Sequence, residues 1–311
     1  DTPGLDLVAI NDLTPLEDLV YLLRYDTVYG RVPYDVRAEG DRHLSAAGDR
    51  YQVLHEKDPA ALPWKDLGVD IVFECTGAFT RRDDLEKHVK AGARHVILSA
   101  PAKGDGVESI VPGVNSPEDD HPQIFSCASC TTNCITPVVE VMGRRLGIRK
   151  AVMTTVHAYT SSQGMVDGPS KKPERGRAGA ANLVPTSTGA AKATTQVLPQ
   201  YEGRFDGVAI RAPVPVGSVA DITFLAERAT SVEEVNRIFA EEADSARYRG
   251  ILGVTRDRIV SSDIVHDPRA SIVDLNQTQV VDGDLVKVMS WYDNEWGYAN
   301  QMVREAARMG R

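Results

Sequence analysis

The chain has 311 residues, enough for two domains that each bury a sizeable core. Its apolar fraction of 42% and charged fraction of 25% are typical of a globular protein, and no apolar run is long enough for a transmembrane helix. The net charge of −9 argues against a nucleic-acid groove as the main function, although a few local arginines suffice to hold a phosphorylated ligand. We therefore expect neither a membrane nor a nucleic acid as the principal partner.

Strands and helices alternate in the first half of the chain. An apolar run at Leu5–Ile10 predicts a strand that ends at Asn11 and Asp12, and a period near 3.6 predicts a helix over Leu16–Tyr25. Two further apolar, β-branched runs enclose a helical pattern, and these segments are Val69–Glu74, Asp83–Ala91 and His95–Ser99. This alternation predicts an α/β fold with a doubly wound, Rossmann-type parallel sheet.

The second half is richer in strands that alternate apolar and polar residues. It opens with a helical pattern after Thr132 that extends to about Leu146, and it closes with another at Tyr298–Met309. The strand patterns between them are Ala151–Tyr159, Gly207–Pro213, Ser218–Ala226, Ser271–Leu275 and Leu285–Tyr292. The polar, glycine- and proline-containing segment Ser161–Ala181 predicts a long loop. We expect an α+β domain with a mainly antiparallel sheet.

A cysteine flanked by hydroxyl side chains stands near the predicted start of the first of these helices. Ser129 and Thr131 flank Cys130, and the unpaired N–H groups of a helix N-terminus favour a thiolate over a thiol. His157 follows the next apolar run and could stand beside the sulfur, which would form the pair that covalent catalysis at a carbonyl needs. The alternative interpretation is a small buried cysteine and a histidine with a purely structural role.

The spacing of the cysteines argues against two other chemistries. Cys127, Cys130 and Cys134 lie too close together for a useful disulfide framework, which favours a reducing cytosol. Cys127 and Cys130 form a CxxC pair, but neither a second ligand pair nor a thioredoxin-like context accompanies it. We therefore expect no metal site and a cytoplasmic protein.

Four motifs resemble those of one enzyme family in sequence, order and spacing. They are Ser129–Cys134, His157–Thr160, Ser187–Ala193 and Trp291–Tyr298. From Val8 to the last helix, the chain resembles the phosphorylating glyceraldehyde-3-phosphate dehydrogenases. The resemblance implies an NAD-dependent oxidoreductase of glycolysis that uses glyceraldehyde 3-phosphate and inorganic phosphate, and it implies a homotetramer.

The resemblance also implies a division into domains. An NAD-binding domain is expected at 1–128, completed by a C-terminal helix at 294–311, with a catalytic domain at 129–293. The first predicted strand already carries the acidic residue of the family's second strand, and no G-x-G-x-x-G precedes it. The family's glycine-rich first βα unit is therefore missing from this sequence, and we expect a truncated sequence or a fragment.

One carboxylate is expected to select the cofactor. Asp12 follows a predicted strand, where a carboxylate accepts hydrogen bonds from an adenosine ribose and repels a 2′-phosphate; a helix-capping role is the alternative. This placement favours NAD over NADP. By resemblance, the other residues that line the cofactor are Lys57, Thr76, Ser99, Asn294 and Tyr298.

Two anion sites are implied, one for the phosphate of the substrate and one for the attacking phosphate. By resemblance, Thr160 and Arg211 serve the first site. The residues assigned to the second site are Ser129, Thr131, Thr188 and Gly189, with Arg175 assisting. Because Arg211 lies inside an apolar strand pattern, its charge requires an anionic partner, which favours a role in binding. Thr188 precedes a helical run, where N–H groups can bind an anion.

Three rival functions remain open. The related erythrose-4-phosphate dehydrogenase is the nearest of these rivals, and Ser187–Ala193 favours the triose enzyme. A Cys–His hydrolase of the thiol-protease kind needs no nucleotide domain, so the alternating first half and Asp12 argue against it. The missing glycine turn keeps open a catalytically impaired fragment that acts only by binding.

The role given to Asp12 leads to a test of cofactor choice. The variant Asp12→Ala should lower kcat/KM for NAD⁺ and raise it for NADP⁺. The difference between the two cofactors, expressed as a free energy, should narrow by about 1–3 kcal/mol, the scale of a hydrogen bond to a charged group. The measurement is kcat/KM for both cofactors in both proteins. A wild-type protein that uses the two cofactors equally well would show that Asp12 does not decide specificity.

Overall fold

The computed structural model describes residues 2–117 and 121–309, which form two compact units. The first unit comprises residues 2–108, 121–126 and 306–309, and the second comprises 109–117 and 127–305. The expected domain limits at residues 1, 310 and 311 lie outside the described residues.

The first unit alternates short strands with helices. Its strands are β1 (Ala9–Asn11), β2 (Tyr25–Asp26), β3 (Gly30–Arg31), β4 (Val36–Glu39), β5 (His43–Ala46), β6 (Asp49–Leu54), β7 (Ile71–Glu74), β8 (His95–Leu98), β9 (Glu108–Ser109, at the boundary) and β10 (Ile124–Ser126). Its helices are α1 (Leu16–Arg24), α2 (Trp64–Leu67) and α3 (Arg82–Lys90). Helix α1 forms because Glu17 and Asp18 lie in its first turn and Arg24 in its last, and its buried Leu16 and Val20 pack on the adjacent sheet.

The strands that precede Asp12, Thr76 and Ser99 each take part in a parallel pair, whereas β4 with β5 and β5 with β6 are antiparallel. One sheet has the order β1-β6-β5-β4, with β1 parallel to β6, and another has the order β7-β8-β10-β9, with β7, β8 and β10 parallel. The Rossmann-type parallel sheet predicted from the sequence is thus confirmed. The first strand is shorter than predicted: it begins at Ala9 rather than Leu5, because its ladder reaches only Gln52–Leu54 of β6.

The second unit is built on one large sheet. Its strands are β11 (Ile148–Ala158), β12 (Val184–Ser187), β13 (Phe205–Ala212), β14 (Ser218–Ala226), β15 (Leu252–Thr255), β16 (Ser271–Asp274), β17 (Gln279–Val281) and β18 (Leu285–Tyr292). Its helices are α4 (Cys130–Leu146), α5 (Ala190–Val197), α6 (Val232–Asp244) and α7 (Trp296–Met309), the last of which ends in the first unit. The segment predicted as a loop carries two short 3₁₀ turns, Pro173–Gly176 and Gly179–Ala181.

The sheet order is β12-β13-β11-β14-β18-β16-β15, with β17 alongside β18. Five strand pairs are antiparallel, and two, β11 with β13 and β15 with β16, are parallel, which confirms the mainly antiparallel α+β domain. Inward residues of the sheet, such as Phe224 and Val288, pack against Val138 of α4 and Phe239 of α6 in one fully buried cluster. The same cluster packs α4 against the sheet that contains β11, and these two elements carry the cysteine and the histidine of the candidate site.

The described residues contain neither a candidate membrane-spanning helix nor a candidate metal-binding group. None of the helices in 2–117 and 121–309 combines the length and apolar character that a bilayer crossing requires. Across the same residues, no three His, Cys, Asp or Glu side chains gather as a metal-binding group.

Candidate active site

Cys130 is the first residue of α4, and the turn before it is tightly constructed. The Ser129 hydroxyl caps the helix by accepting the N–H of Thr132 at 3.2 Å, so the helix begins at Cys130 rather than after Thr132. The Asn133 amide donates to the carbonyls of Cys127 (2.8 Å) and Ser129 (2.9 Å). These bonds hold Ala128 at a φ of 55°, a left-handed conformation that alanine seldom adopts. The turn therefore directs the half-buried thiol out of the helix start.

His157 lies beside Cys130 because of the register of the sheet. It is near the end of β11, and its Nε2 is 3.4 Å from the Cys130 sulfur. On the neighbouring parallel strand β13, the residue paired with His157 is Arg211. Adjacent parallel strands direct paired side chains to the same face, so a cysteine, a histidine and an arginine meet at one point.

The second nitrogen of His157 has two competing partners. Nδ1 lies 2.7 Å from Nη1 of Arg211 and 2.7 Å from the carbonyl of Ala158. The guanidinium can only donate, so this contact makes Nδ1 an acceptor and leaves the ring proton on Nε2, facing the sulfur. The Ala158 carbonyl can only accept, so that contact requires the proton on Nδ1 and leaves Nε2 free to act as a base. The same geometry thus accommodates both neutral tautomers.

Burial and Arg211 keep the imidazole neutral. Burial, followed by the charge of Arg211, lowers the pKa of His157 to about 4. Burial raises the pKa of the Cys130 thiol, while hydrogen bonds from Thr131 and the charge of Arg211 act in the opposite direction. These effects favour a thiol beside a neutral imidazole, and stabilisation of a resting thiolate by the helix N-terminus stays a prediction.

Tyr292 is a residue that the sequence did not single out. Its hydroxyl lies 2.9 Å from that of Thr131 and 2.8 Å from that of Thr155, and its ring meets His157 edge-on. It is almost fully buried, and burial raises the pKa of its hydroxyl well above the usual value. The hydroxyl therefore stays protonated and ties α4 to β11 beneath the Cys130–His157 pair. No local pattern predicts this link, because its partners are 161 and 137 residues away.

The two arginines predicted to bind phosphate have different surroundings. Arg211 is half-buried, and its Nε atom is buried without a hydrogen-bond partner among the described residues, an arrangement that fits an anionic ligand. Arg175 donates to the Thr186 hydroxyl and the Ser187 carbonyl, both at 3.1 Å, next to Thr188. The structure thus joins Arg175 to the end of β12.

The remaining phosphate residues are polar groups at chain turns. The Thr188 hydroxyl accepts the N–H of Ala190 at 3.2 Å and so forms a turn immediately before α5, whose N-cap residue is Gly189. Gly189 is exposed, and a Cβ there would meet no atom within 4 Å, which leaves its backbone open to a ligand. Thr160 follows β11 and pairs with the Ser162 hydroxyl at 2.8 Å rather than with Arg211.

Two residues of the predicted cofactor set also lie in this unit. The Asn294 carbonyl oxygen accepts the Ser218 hydroxyl at 2.9 Å, and the same hydroxyl accepts the N–H of Ala158 at 3.1 Å. Ser218, which the sequence analysis missed, thereby orients Asn294 so that its amide N–H₂ group is available to donate. The Tyr298 hydroxyl donates to the Ala128 carbonyl at 3.3 Å, in the turn before Cys130.

Comparison with known proteins agrees with the geometry. Residues 129–294 match the family model of the glyceraldehyde 3-phosphate dehydrogenase C-terminal domain, and residues 1–82 match that of its NAD-binding domain. The chain belongs to the glyceraldehyde-3-phosphate dehydrogenase family.

Curated relatives carry the similarity over the whole chain. A glyceraldehyde-3-phosphate dehydrogenase of Streptomyces coelicolor is 47% identical over 96% of this chain and 89% of the relative. One of Mycobacterium tuberculosis is 48% identical over 100% of this chain and 91% of the relative. One of Zymomonas mobilis is 44% identical over 99% and 91%, respectively.

The first unit offers groups that fit NAD, the cofactor of this family's N-terminal domain. Asp12 follows β1, and only one of its carboxylate oxygens has a partner among the described residues, the N–H of Thr14 at 2.8 Å. The second oxygen is available for ribose hydroxyls. Thr76 and Ser99 follow the carboxyl ends of the parallel strands β7 and β8, where dinucleotides bind in such sheets. Lys57 is an exposed loop residue.

The other cysteines occupy different environments. Cys127 and Cys134 are buried, and Cys75 is exposed. Cys134 contacts the Ser271 hydroxyl and the Ser290 carbonyl, and burial raises its pKa to about 12. Cys134 is therefore an inert part of the core, whereas Cys130 is the one that faces a histidine.

The charge of Arg211 leads to a prediction for the basicity of His157. The variant Arg211→Gln should raise the pKa of His157 from about 4 toward the ordinary histidine value, because it removes the positive charge that disfavours the imidazolium. The measurement is an NMR titration of the His157 ring. The matched control is Arg175→Gln, which removes the weakest contribution and should move the pKa less. An equal shift in both variants would contradict the special role of the Arg211 contact.

Proposed function

We propose that the protein is an NAD-dependent, phosphorylating glyceraldehyde-3-phosphate dehydrogenase that converts D-glyceraldehyde 3-phosphate and inorganic phosphate to 1,3-bisphosphoglycerate. The reaction belongs to glycolysis and gluconeogenesis. The observation that carries the proposal is the 3.4 Å contact between the Cys130 sulfur and Nε2 of His157, with Arg211 against the other ring nitrogen. This arrangement supplies a nucleophile, a base and a cation for a phosphorylated aldehyde.

The anionic substrate activates the pair. Its phosphate binds Arg211 and Thr160 and offsets the positive charge that lowers the pKa of His157. The imidazole becomes more basic at the moment when the aldehyde arrives. With its proton on Nδ1, directed to the Ala158 carbonyl, His157 accepts the thiol proton through Nε2 while the sulfur attacks the aldehyde carbon. The protonated His157 then returns this proton to the former aldehyde oxygen, so the product is a neutral thiohemiacetal on Cys130 and His157 is again a base.

Oxidation and phosphorylation follow on the same sulfur. NAD⁺ supplies the hydride acceptor when it is bound. His157 takes the hydroxyl proton of the thiohemiacetal, which becomes a thioester. Inorganic phosphate then attacks the thioester and displaces the sulfur, a good leaving group. The proposed residues for that phosphate are Ser129, Thr131, Arg175, Thr188 and Gly189, and the exposed backbone of Gly189 supports this assignment.

Six residues are proposed as cofactor contacts. Asp12 accepts hydrogen bonds from the adenosine ribose, and Asn294 donates its amide to the nicotinamide carboxamide, consistent with the bond that it receives from Ser218. The other proposed contacts are Lys57, Thr76, Ser99 and Tyr298. The domain division that accompanies this assignment is an NAD-binding domain at 1–128, completed by helix 294–311, and a catalytic domain at 129–293.

We further propose a cytoplasmic homotetramer. Val152 on β11 and Val208 on β13 lie on the same outer face of the large sheet, and they are 62% and 53% exposed. Exposed apolar side chains that neighbour each other on a sheet favour burial against another copy of the chain. All four cysteines are free thiols, which is consistent with a reducing compartment.

Loss of the nucleophile tests the chemistry directly. The variant Cys130→Ser should lower kcat by several orders of magnitude, because a serine hydroxyl neither ionises beside this histidine nor leaves as readily. The matched control is Cys75→Ser, which replaces an exposed cysteine and should keep wild-type turnover. Steady-state rates with glyceraldehyde 3-phosphate and with erythrose 4-phosphate provide the measurement. In the wild-type protein, a higher kcat/KM for erythrose 4-phosphate would favour the related erythrose-4-phosphate dehydrogenase. Absence of turnover of either aldehyde by the wild-type protein would favour a binding role.

The assembly can be tested through the exposed sheet face. Wild-type protein should sediment with the mass of four chains, and Val208→Asp should shift the protein toward smaller species, because it places a charge in an apolar contact. The matched control, Val281→Asp, alters another exposed valine, on β17, and should leave the mass unchanged. Analytical ultracentrifugation measures the mass. A monomeric wild type would contradict the assembly while leaving the catalytic proposal intact.

A further inference from the structure

A buried chain of polar side chains in the first unit has no part in the chemistry proposed above. Trp64, His88 and Glu74 are between 3% and 5% exposed. The Trp64 indole N–H lies 3.0 Å from Nδ1 of His88, and Nε2 of His88 lies 3.1 Å from Oε2 of Glu74. Side chains of this kind are seldom so deeply buried without a function or a strong structural reason.

The indole determines the tautomer of His88. An indole N–H can only donate, so Nδ1 of His88 must accept and cannot carry a proton. The ring is therefore neutral, with its proton on Nε2, which donates to the Glu74 carboxylate. Burial raises the pKa of Glu74, but hydrogen bonds from His88 and Thr76 outweigh burial and hold it below the usual value. Glu74 is thus an ionised acceptor.

The other oxygen of Glu74 controls Thr76. Oε1 accepts the backbone N–H of Thr76 at 2.8 Å and also accepts its hydroxyl proton. The Thr76 hydroxyl oxygen in turn accepts the N–H of Ala78 at 3.1 Å. Because the hydroxyl proton is committed to Glu74, the exposed Thr76 side chain can offer a ligand a lone pair but no proton.

We infer that His88 and Glu74 are positioning residues that hold the Thr76 hydroxyl as a pure hydrogen-bond acceptor toward a donor group of the bound dinucleotide, and that the Trp64 indole N–H excludes the alternative tautomer of His88. The inference rests on the proposed function, because it uses Thr76 as a cofactor contact. The indole N–H and the ionised Glu74 carboxylate each require the His88 proton on Nε2, and Glu74 in turn orients Thr76.

This order of donors predicts a specific rescue. In Glu74→Gln, the amide oxygen must accept both Thr76 contacts, so the amide N–H₂ group faces the Nε2–H of His88 as a second donor. His88 can relieve this clash only by moving its proton to Nδ1, where it would meet the indole N–H of Trp64. The added variant Trp64→Phe removes that indole N–H, so the Nδ1–H tautomer becomes acceptable and Nε2 can accept from the new amide.

Calorimetric titration with NAD⁺ measures the effect. We expect Glu74→Gln to raise the Kd about tenfold, as for loss of one hydrogen bond to a charged group. Trp64→Phe alone keeps the donation from His88 to Glu74 and should change the Kd by no more than about twofold, which makes it the matched control. The double variant should return to within about threefold of the wild-type Kd. A double variant that binds more weakly than Glu74→Gln would overturn the inference, because purely structural losses add.

Two further measurements need neither turnover nor bound NAD⁺. Ring ¹⁵N signals of wild-type His88 should show an unprotonated Nδ1 and a protonated Nε2, and the opposite pattern or a doubly protonated ring would overturn the inference. If Glu74→Gln is too unstable to titrate, its melting temperature is compared with that of the double variant. A higher melting temperature in the double variant than in Glu74→Gln supports the inference, and a lower one contradicts it. Wild-type protein that does not bind NAD⁺ would contradict the proposed function and the inference together. Equal affinity in wild type and Glu74→Gln would contradict the inference alone.

Discussion

The contact between a guanidinium and an imidazole, made by two adjacent parallel strands, controls the chemistry of the second unit. The register of β11 with β13 pairs His157 with Arg211, so the positive charge opposes protonation of the ring. Nε of Arg211 is buried without a partner in the described part of the chain. Both features are unfavourable until an anion binds. A site of this kind links the binding of a phosphorylated substrate to the basicity of its catalytic histidine.

The nucleophile depends on a backbone conformation that other contacts must stabilise. Ala128 adopts a left-handed conformation, which costs an alanine about 1–2 kcal/mol. The two bonds from Asn133 and the one from Tyr298 converge on the carbonyls of this turn. They offset the strain and fix the direction in which α4 begins. Tyr292 then sets the distance between α4 and β11 through the hydroxyls of Thr131 and Thr155.

In the first unit, polar side chains that could contact a ligand lie at strand ends. Asp12, Thr76 and Ser99 each follow the carboxyl end of a strand in a parallel pair. Their side chains differ in what they can offer: a carboxylate accepts only, and Thr76 accepts only because Glu74 takes its proton. Hydrogen-bond direction, more than residue type, therefore defines what these strand ends can recognise.

The amino-acid sequence by itself determined the alternation of elements, the position of α4 within three residues, and the chemical identity of Cys130 and His157. These features are local: a 3.6-residue period, a Ser129 cap and a motif of consecutive residues need no distant partner. The first strand was overestimated because an apolar run such as Leu5–Val8 becomes a strand only where a neighbour pairs with it.

Only the tertiary structure decided the contacts of Tyr292, the Ser218–Asn294 bond, the chain from Trp64 to Thr76, and the tautomers and pKa of His157. Each of these joins residues from different elements, and the pKa of a side chain depends on how completely folding removes it from water. Local pattern specifies which groups are present, whereas strand register and burial specify which groups meet and which of them carry a proton.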